Sequence, residues 1–130
     1  MSKGEAGAGP LLLTRDQIMA FTSAPRRTVV VEVPEWGGAV TLQEMTARER
    51  DAFEASTVDG QGKKMKINIK NLRARLVAAC AVDGNGNALF YPTDVELLGE
   101  VSSSALSRVF DAARELNGMT DEDVEELAGN

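Results

Sequence analysis

The sequence predicts an α+β fold in which an N-terminal β-hairpin packs on a mainly helical bundle of about five helices. A β-branched run at 28–33 and a second extended run at 39–43 flank a turn that contains two glycines, which is typical of a hairpin. The stretch 65–82 repeats apolar residues at steps of three and four, as expected of a helix buried along one face. Helix caps and stops then recur through the second half of the chain.

Length and charge limit the class of protein. The chain has 130 residues, enough for one domain, which we expect over 11–130 after a flexible Gly/Ala-rich tail at 1–10. The net charge of −6 opposes nucleic-acid binding by the whole surface. The early apolar run 11–13 is far too short for a signal-peptide core or a membrane span, so we expect a cytoplasmic protein.

The chain contains no histidine, which excludes Ser-His-Asp and Cys-His nucleophilic sites and His-ligated zinc. Carboxylate pairs and lysines could still catalyse, but no spacing nominates a particular pair. Cys80 lies on or beside the apolar stripe of 65–82, which predicts a buried structural thiol. We therefore predict a protein that is not an enzyme and that holds no cofactor.

The stretch 83–87 has the D-x-N-x-N opening of a calcium loop. The match then fails, because the sixth position is Ala88, the tenth is Pro92 and the twelfth is Asp94, where a calcium loop needs glycine and a bidentate glutamate at the sixth and twelfth. We interpret the stretch as a tight turn followed by an extended segment, 88–91, that inserts Leu89 or Phe90 into the core.

The N-terminal half begins with a short helix capped by Thr14 and ended at 23–25. Leu13, Ile18 and Phe21 give this helix a small apolar face. Trp36 at the hairpin tip has two interpretations, a cover for its own hairpin or an exposed anchor for a partner. Two strands alone are marginal in water, so the valine face of the hairpin must lie on the helices or on another molecule. The predicted inner side chains are Val29, Val31 and Val33 on the first strand, and Val40 and Leu42 on the second.

A capping box at Thr46 and Glu49 predicts a helix that runs to about Ala55, with Phe53 as its main apolar contact. A flexible loop is expected at 57–62. The segment 63–75 then carries six basic residues and no acidic one. Two uses remain open for these bases, a phosphate-binding role and charge pairing with the acidic C-terminal segment.

Three further helices are predicted. Thr93 should cap a short one with Val95 and Leu98 facing inward, and Ser102 or Ser103 should cap the next, which ends at Asn117-Gly118. A last, acidic helix should start at Thr120. The expected apolar side chains of the second helix are Leu106, Val109, Phe110, Ala113 and Leu116, and those of the last are Val124 and Leu127.

Four motifs occur in order along the chain: the hairpin-helix run VEVPEWGGAVTLQEMTARERDAFE, the runs LVAACAVDGNGNALF and PTDVELL, and the Ser-capped helix that closes on Leu116-Asn117-Gly118. Over about residues 12–130 this arrangement resembles the tail assembly chaperones of long-tailed (siphophage-type) bacteriophages and prophages. These motifs are structural, and none of them is catalytic.

The resemblance implies a non-enzymatic assembly factor. Such chaperones bind the tape measure protein, keep it in solution and help to recruit tail tube subunits as the tail polymerises. They self-associate, act in the host cytoplasm and are absent from the mature virion. Several have a longer form, made by a ribosomal frameshift, that contacts the tube protein, and this chain resembles the short form.

We predict partner contacts at two apolar sites and charge contacts between subunits. Two rival functions remain, a small nucleic-acid-binding regulator that uses 63–75 and a structural tail or head-completion protein retained in the virion. The predicted partner-binding residues are Pro34, Trp36, Val124 and Leu127, and the predicted charge contacts join Lys66, Lys70 and Arg73 to Asp121, Glu122 and Glu125.

Overall fold

The structure, a computed structural model, describes residues 9–59, 66–67 and 69–120. In these ranges the chain forms five α-helices and a three-stranded antiparallel sheet, which confirms the predicted α+β class. The helices are α1 (Arg15–Met19), α2 (Ala47–Ala55), α3 (Leu72–Cys80), α4 (Val95–Leu98) and α5 (Ser103–Leu116). The strands are β1 (Thr28–Val33), β2 (Gly38–Gln43), β3 (Val58–Asp59), β4 (Lys66–Ile67) and β5 (Ala81–Val82).

The predicted hairpin is confirmed. β1 and β2 pair antiparallel from Thr28 opposite Gln43 to Val33 opposite Gly38. A short 3₁₀ turn, Pro34–Trp36, joins them, and Gly37 follows it at φ +72°, a conformation that glycine adopts at little cost. The predicted inward face is confirmed in part: Val33 and Leu42 are buried, and Val31 and Val40 are partly buried against the core. Val29, predicted on the same face, is 37% exposed, because it lies toward the open end of the edge strand.

A third strand, which the sequence did not indicate, completes the sheet. β5 pairs antiparallel with β2, with Ala81 opposite Leu42, and the sheet order is β1-β2-β5. The prediction of one helix over 65–82 is therefore wrong at its C-terminal end. The chain leaves the helix after Cys80 because extended residues there can pair with β2.

The N-terminal end of that predicted helix is also wrong. β4 pairs antiparallel with β3, and α3 begins only at Leu72. The preceding residue, Asn71, has φ +54°, a left-handed conformation that a right-handed helix cannot contain. Met65, at the head of the predicted stripe, lies outside the described residues, and Ile69 is exposed.

The predicted loop at 57–62 is in part a strand. Thr57 is buried, and its hydroxyl donates to the carbonyl of Glu54 at 2.6 Å, after which β3 begins. Positions 60–62 lie outside the described residues.

The core lies between α3, α5 and the inner face of the sheet. α3 and α5 run in the same direction side by side, because Arg73 stands over the ring of Phe110 and, seven residues further along each helix, Cys80 meets Asn117. All the predicted α5 positions face this core, with Leu116 only partly buried. The largest fully buried side chains are Leu42, Leu76, Val33, Val77, Val109, Thr57 and Cys80.

The helix caps agree with the sequence in three of four cases. Thr14 and Thr46 each form a capping box, and Ser102 accepts from the amide of Ala105 at 3.4 Å. Thr93 is not a cap, because the chain is already helical from Pro92 in a 3₁₀ turn, Pro92–Asp94. There the carboxylate of Asp94 accepts from the amide of Tyr91 at 2.8 Å instead.

The turn predicted at 83–87 is present. Oδ1 of Asp83 accepts from the amides of Asn85 and Asn87, at 2.8 and 3.0 Å. Phe90, not Leu89, is the partly buried residue of the segment that follows. Val95 and Leu98 face inward as predicted.

Candidate partner-binding surface

Among the residues that the structure describes, the largest set of uncovered apolar side chains lies in 11–23, which we call the N-terminal arm. Their exposed fractions range from 44% to 85%, and neither α1 nor the 3₁₀ turn Ala20–Ser23 that follows it contains a buried residue. Apolar side chains concentrated in this way on a surface are typical of a binding site. They are Leu11, Leu12, Leu13, Ile18, Met19 and Phe21.

Local hydrogen bonds, not packing, shape the arm. The amide of Gln17 donates to Thr14 Oγ1 at 3.2 Å, and Gln17 Oε1 accepts from the amide of Thr14 at 2.8 Å. The predicted helix is therefore present, but the described part of the chain does not cover its apolar face. The predicted apolar face of Leu13, Ile18 and Phe21 is therefore open, and these side chains are 52%, 48% and 69% exposed.

The hairpin tip is a second candidate surface. Trp36 is 37% exposed and Pro34 is exposed, so the indole is partly covered and partly open to solvent. Between them, Glu35 accepts a hydrogen bond from Arg108 of α5 at 2.8 Å, which holds the pKa of the Glu35 carboxyl below its usual value. This ion pair attaches the hairpin tip to α5.

The outer face of β1 lies next to the tip. β1 is at the edge of its sheet, and Val30 is 64% exposed on the side opposite the core. The face combines an apolar side chain with a strand edge, a combination that native proteins usually cover.

The basic residues nominated for charge contacts are already engaged within the chain where they are described. Lys70 Nζ lies 3.5 Å from Glu96 Oε1 of α4, and the guanidinium of Arg73 lies 5.7 Å from the centroid of the Phe110 ring. The side chain of Lys66 is outside the described part. So are the remaining nominated residues, Asp121, Glu122, Val124, Glu125 and Leu127.

Other proteins share the sequence pattern and the fold of this chain. The family model described as "Phage tail assembly chaperone" matches residues 14–130. The chain belongs to the phage tail assembly chaperone family. A solved structure described as the tail assembly chaperone of bacteriophage HK97 is similar to this chaperone, with a TM-score of 0.55 and 20% identity over 83% of this chain and 100% of that one. At that identity the likeness shows the fold alone, and no curated protein matches this chaperone.

The single cysteine of the chain lies in the core. Cys80 is buried, and burial raises the pKa of its thiol from 9.0 to about 11. Within 9–59, 66–67 and 69–120, no cluster of three or more His, Cys, Asp and Glu side chains is placed to hold a metal ion. No helix in the same ranges is long and apolar enough to cross a membrane.

The sequence did not identify the arm of the chaperone as a site. The signal was present in Leu11-Leu12-Leu13, three adjacent leucines beside a helix too short to bury a continuous stripe. A five-residue helix presents at most one and a half turns, so it cannot place all of its apolar neighbours on one covered face. Three adjacent leucines point in different directions, and such a short helix cannot cover them, so this pattern indicates an apolar surface that is left open.

Proposed function

We propose that this chaperone binds the tape measure protein, keeps its apolar helical surface in solution and helps to recruit tail tube subunits during tail polymerisation. It acts in the host cytoplasm, before the particle is complete. The observation that carries the proposal is the N-terminal arm, in which six large apolar side chains are exposed on a locally ordered segment.

An arm of this kind suits a long amphipathic helix. Such a partner aggregates through its apolar stripe, and the apolar arm can cover that stripe. The net charge of −6 on each copy then makes neighbouring complexes repel one another, which opposes aggregation. In such a contact a few large apolar anchors supply most of the affinity. Ile18 and Phe21, three residues apart, are the best placed anchors.

The hairpin tip supplies a second contact. Trp36 is 37% exposed at the tip, next to Glu35, which pairs with Arg108 of α5. A large aromatic side chain that is partly open to solvent is a typical anchor for a partner. Several copies of the chaperone then line one tape measure, with self-association adding the avidity that one weak contact lacks.

Co-expression with a candidate tape measure protein tests the proposal, followed by size-exclusion chromatography with light scattering. We expect the partner in the soluble fraction only when the chaperone is present, in a complex with several copies of it. Phe21→Asp and Ile18→Asp should abolish this rescue. Leu97→Asp is the matched control, because Leu97 belongs to α4 and not to the arm and is 70% exposed, close to the 69% of Phe21.

Two results would contradict the proposal. If the partner stays insoluble with the native chaperone, or if Leu97→Asp impairs rescue as much as Phe21→Asp does, the arm is not the binding surface. Mass spectrometry of purified particles tests the proposed absence from the virion, and copies that remain in the finished tail would instead indicate a structural protein.

A further inference from the structure

The two edges of the three-stranded sheet differ. At one edge, β5 is two residues long and the chain turns back over it. There Ala88 bridges to Val82, and the amide of Leu89 donates to the carbonyl of Ala81 at 3.0 Å. At the other edge, β1 has six residues and pairs, within the described part of the chain, with β2 alone. The chain therefore closes one edge of its sheet and leaves the other open.

The hydrogen bonding of the hairpin determines which backbone groups of β1 lie at the open edge. The amide of Glu44 donates to the carbonyl of Arg27 at 2.9 Å, directly before the strand begins. Because bonded positions alternate along an antiparallel ladder, the odd-numbered residues of β1 bond to β2. The even-numbered residues turn their amide and carbonyl groups to the open edge. They are Thr28, Val30 and Glu32, and all three are exposed.

This edge lacks the features that usually keep strands apart. The run TVVVEV contains no proline, glycine or lysine, and its register with β2 continues without a bulge through six consecutive pairs. At the middle of the edge-facing set, Val30 is 64% exposed on the outer face of the sheet. A regular, uncharged centre with unpaired backbone groups is a template for another strand.

The strand is complementary to a second copy of itself. In an antiparallel pair of β1 strands with a two-fold axis at Val30, the two Val30 residues lie opposite each other. Thr28 then lies opposite Glu32 of the other copy, where its hydroxyl can donate to the carboxylate. Each of these opposed pairs exchanges two backbone hydrogen bonds, so every edge-facing residue of β1 is used.

Other two-fold registers fit less well. An axis at Val31 places Thr28 opposite Pro34, which has no amide hydrogen to donate. An axis at Glu32 places two carboxylates opposite each other, which is destabilising. An axis at Val29 leaves Glu32 beyond the end of the other strand. The side chains and backbone groups therefore favour the register centred on Val30.

We propose that two copies of the chaperone pair through their β1 strands, with the two-fold axis at Val30, to form one six-stranded sheet with three strands from each copy. The contact is smaller than a standard protein interface, so the dimer is weak and forms as the concentration rises. The proposal goes beyond the function proposed above and does not rest on it. Its experiments use the chaperone alone, so their failure is distinct from failure to rescue a tape measure.

The pairing would also bring the two candidate surfaces together. Within one chain, the N-terminal arm leads into β1 at Thr28, whereas the hairpin tip follows β1 after Val33. Because the paired strands run in opposite directions, the start of each β1 lies beside the end of the other. The chain that leaves the arm of one copy then reaches the sheet next to the tip of the other.

Disulfide trapping tests the pairing. Opposed residues on antiparallel strands have Cα atoms about 5.5 Å apart, within the range of a disulfide. We expect Val30→Cys to form a covalent dimer under mild oxidation, while Cys80, 1% exposed, does not react. Ala39→Cys is the matched control, because Ala39 is exposed on the same face but belongs to β2. Pairing keeps its two copies roughly 14 Å or more apart. Failure of Val30→Cys to cross-link, or equal yields for the two variants, would overturn the proposal.

Mixed samples test the register. Thr28→Cys and Glu32→Cys should each stay uncrosslinked alone, because in the proposed register like positions lie roughly 14 Å apart. An equal mixture of the two variants should give a dimer with one chain of each, which mass spectrometry of the linked peptides identifies. If Thr28→Cys or Glu32→Cys cross-links with itself instead, the strands pair in another way and the proposal is wrong.

Hydrogen exchange followed by NMR tests the unaltered chain. The odd-numbered amides of β1 are bonded to β2 and should exchange slowly at every concentration. The amides of Thr28, Val30 and Glu32 should exchange more slowly as the concentration rises. Exchange at these three positions that does not change with concentration would mean that the edge stays open or receives a strand of another protein, against the proposal.

Discussion

The side-chain oxygen Oδ1 of Asn117 accepts a hydrogen bond from the backbone amide of Met45 at 2.9 Å, across 72 positions of the chain. Nδ2 of the Asn117 side chain donates to the carbonyl of Ala113 at 2.8 Å and to the sulfur of Cys80 at 3.4 Å. Arg50 of α2 donates to the backbone carbonyl of Asn117 at 2.9 Å. One residue therefore joins the end of α5 to the end of α3, to α2 and to the chain that leaves the hairpin.

Asn117→Ala should lower the free energy of unfolding by more than a substitution at the end of a helix usually does. The substitution leaves the partly buried amide of Met45 without its acceptor, and an unsatisfied buried donor costs about 1–3 kcal/mol. Urea unfolding followed by circular dichroism measures the loss. Asn85→Ala, in the exposed turn, is the control and should change the free energy of unfolding by less than about 0.5 kcal/mol. Equal losses in the two variants would contradict this role.

Gly118→Ala should cost about 1 kcal/mol through the backbone alone. Gly118 has φ +66°, and a Cβ there would meet no atom within 4 Å, so the cost comes from the left-handed conformation and not from a clash. Gly84→Ala is matched, since it also has open space for a Cβ but no positive φ, and it should be neutral or slightly stabilising. Gly118→Asn should recover part of the loss, and if it does not, the conformation is not the cause.

The two threonine caps should differ in their effect on stability. Thr46→Ala removes the capping box of α2, a helix that buries Phe53, and should lower the free energy of unfolding by about 1 kcal/mol. Thr14→Ala removes the same motif from α1, none of whose residues is buried, and should leave global unfolding unchanged. Thermal unfolding of both variants checks this, and a large loss in Thr14→Ala would mean that the arm packs on the domain.

Cys80 should make the fold less stable at high pH. Burial raises the pKa of its thiol from 9.0 to about 11, so the folded chain keeps a proton that the unfolded chain loses between those values. The contribution of the buried, protonated thiol to the free energy of unfolding is fully present below pH 9 and is lost as the pH rises toward 11. The total loss is up to roughly 3 kcal/mol, since each pH unit between the two pKa values costs about 1.4 kcal/mol. Urea titrations at pH 8 and pH 10.5 should show a steeper loss in the native chain than in Cys80→Ala. Parallel losses would contradict this assignment.

The thiol should also be unreactive in the folded state, because it is both buried and protonated at neutral pH. Ellman's reagent at pH 8 should modify Cys80 slowly in buffer and rapidly in 6 M urea.

Short-range patterns in the sequence determined the hairpin, the boxes at Thr14 and Thr46, the Asp83 turn and the end of α5. Each depends on hydrogen bonds between residues two to five positions apart, or on the period of a strand, so local spacing specifies it whatever surrounds it. The α+β class followed from the same patterns. The family resemblance came from the order in which they occur.

Only the tertiary structure decided where α3 begins and ends, that β5 joins β2, that Asn117 binds Met45, and that the arm is uncovered. A stretch such as 65–82 carries a helical apolar period, yet Asn71 is left-handed and Ala81 pairs with Leu42 from 39 positions earlier. Such choices depend on which distant segments bury apolar surface and satisfy backbone groups together, and local spacing carries no information about distant partners. The exposure of Phe21 has the same origin, since an apolar residue is buried only where the rest of the chain supplies a surface to receive it.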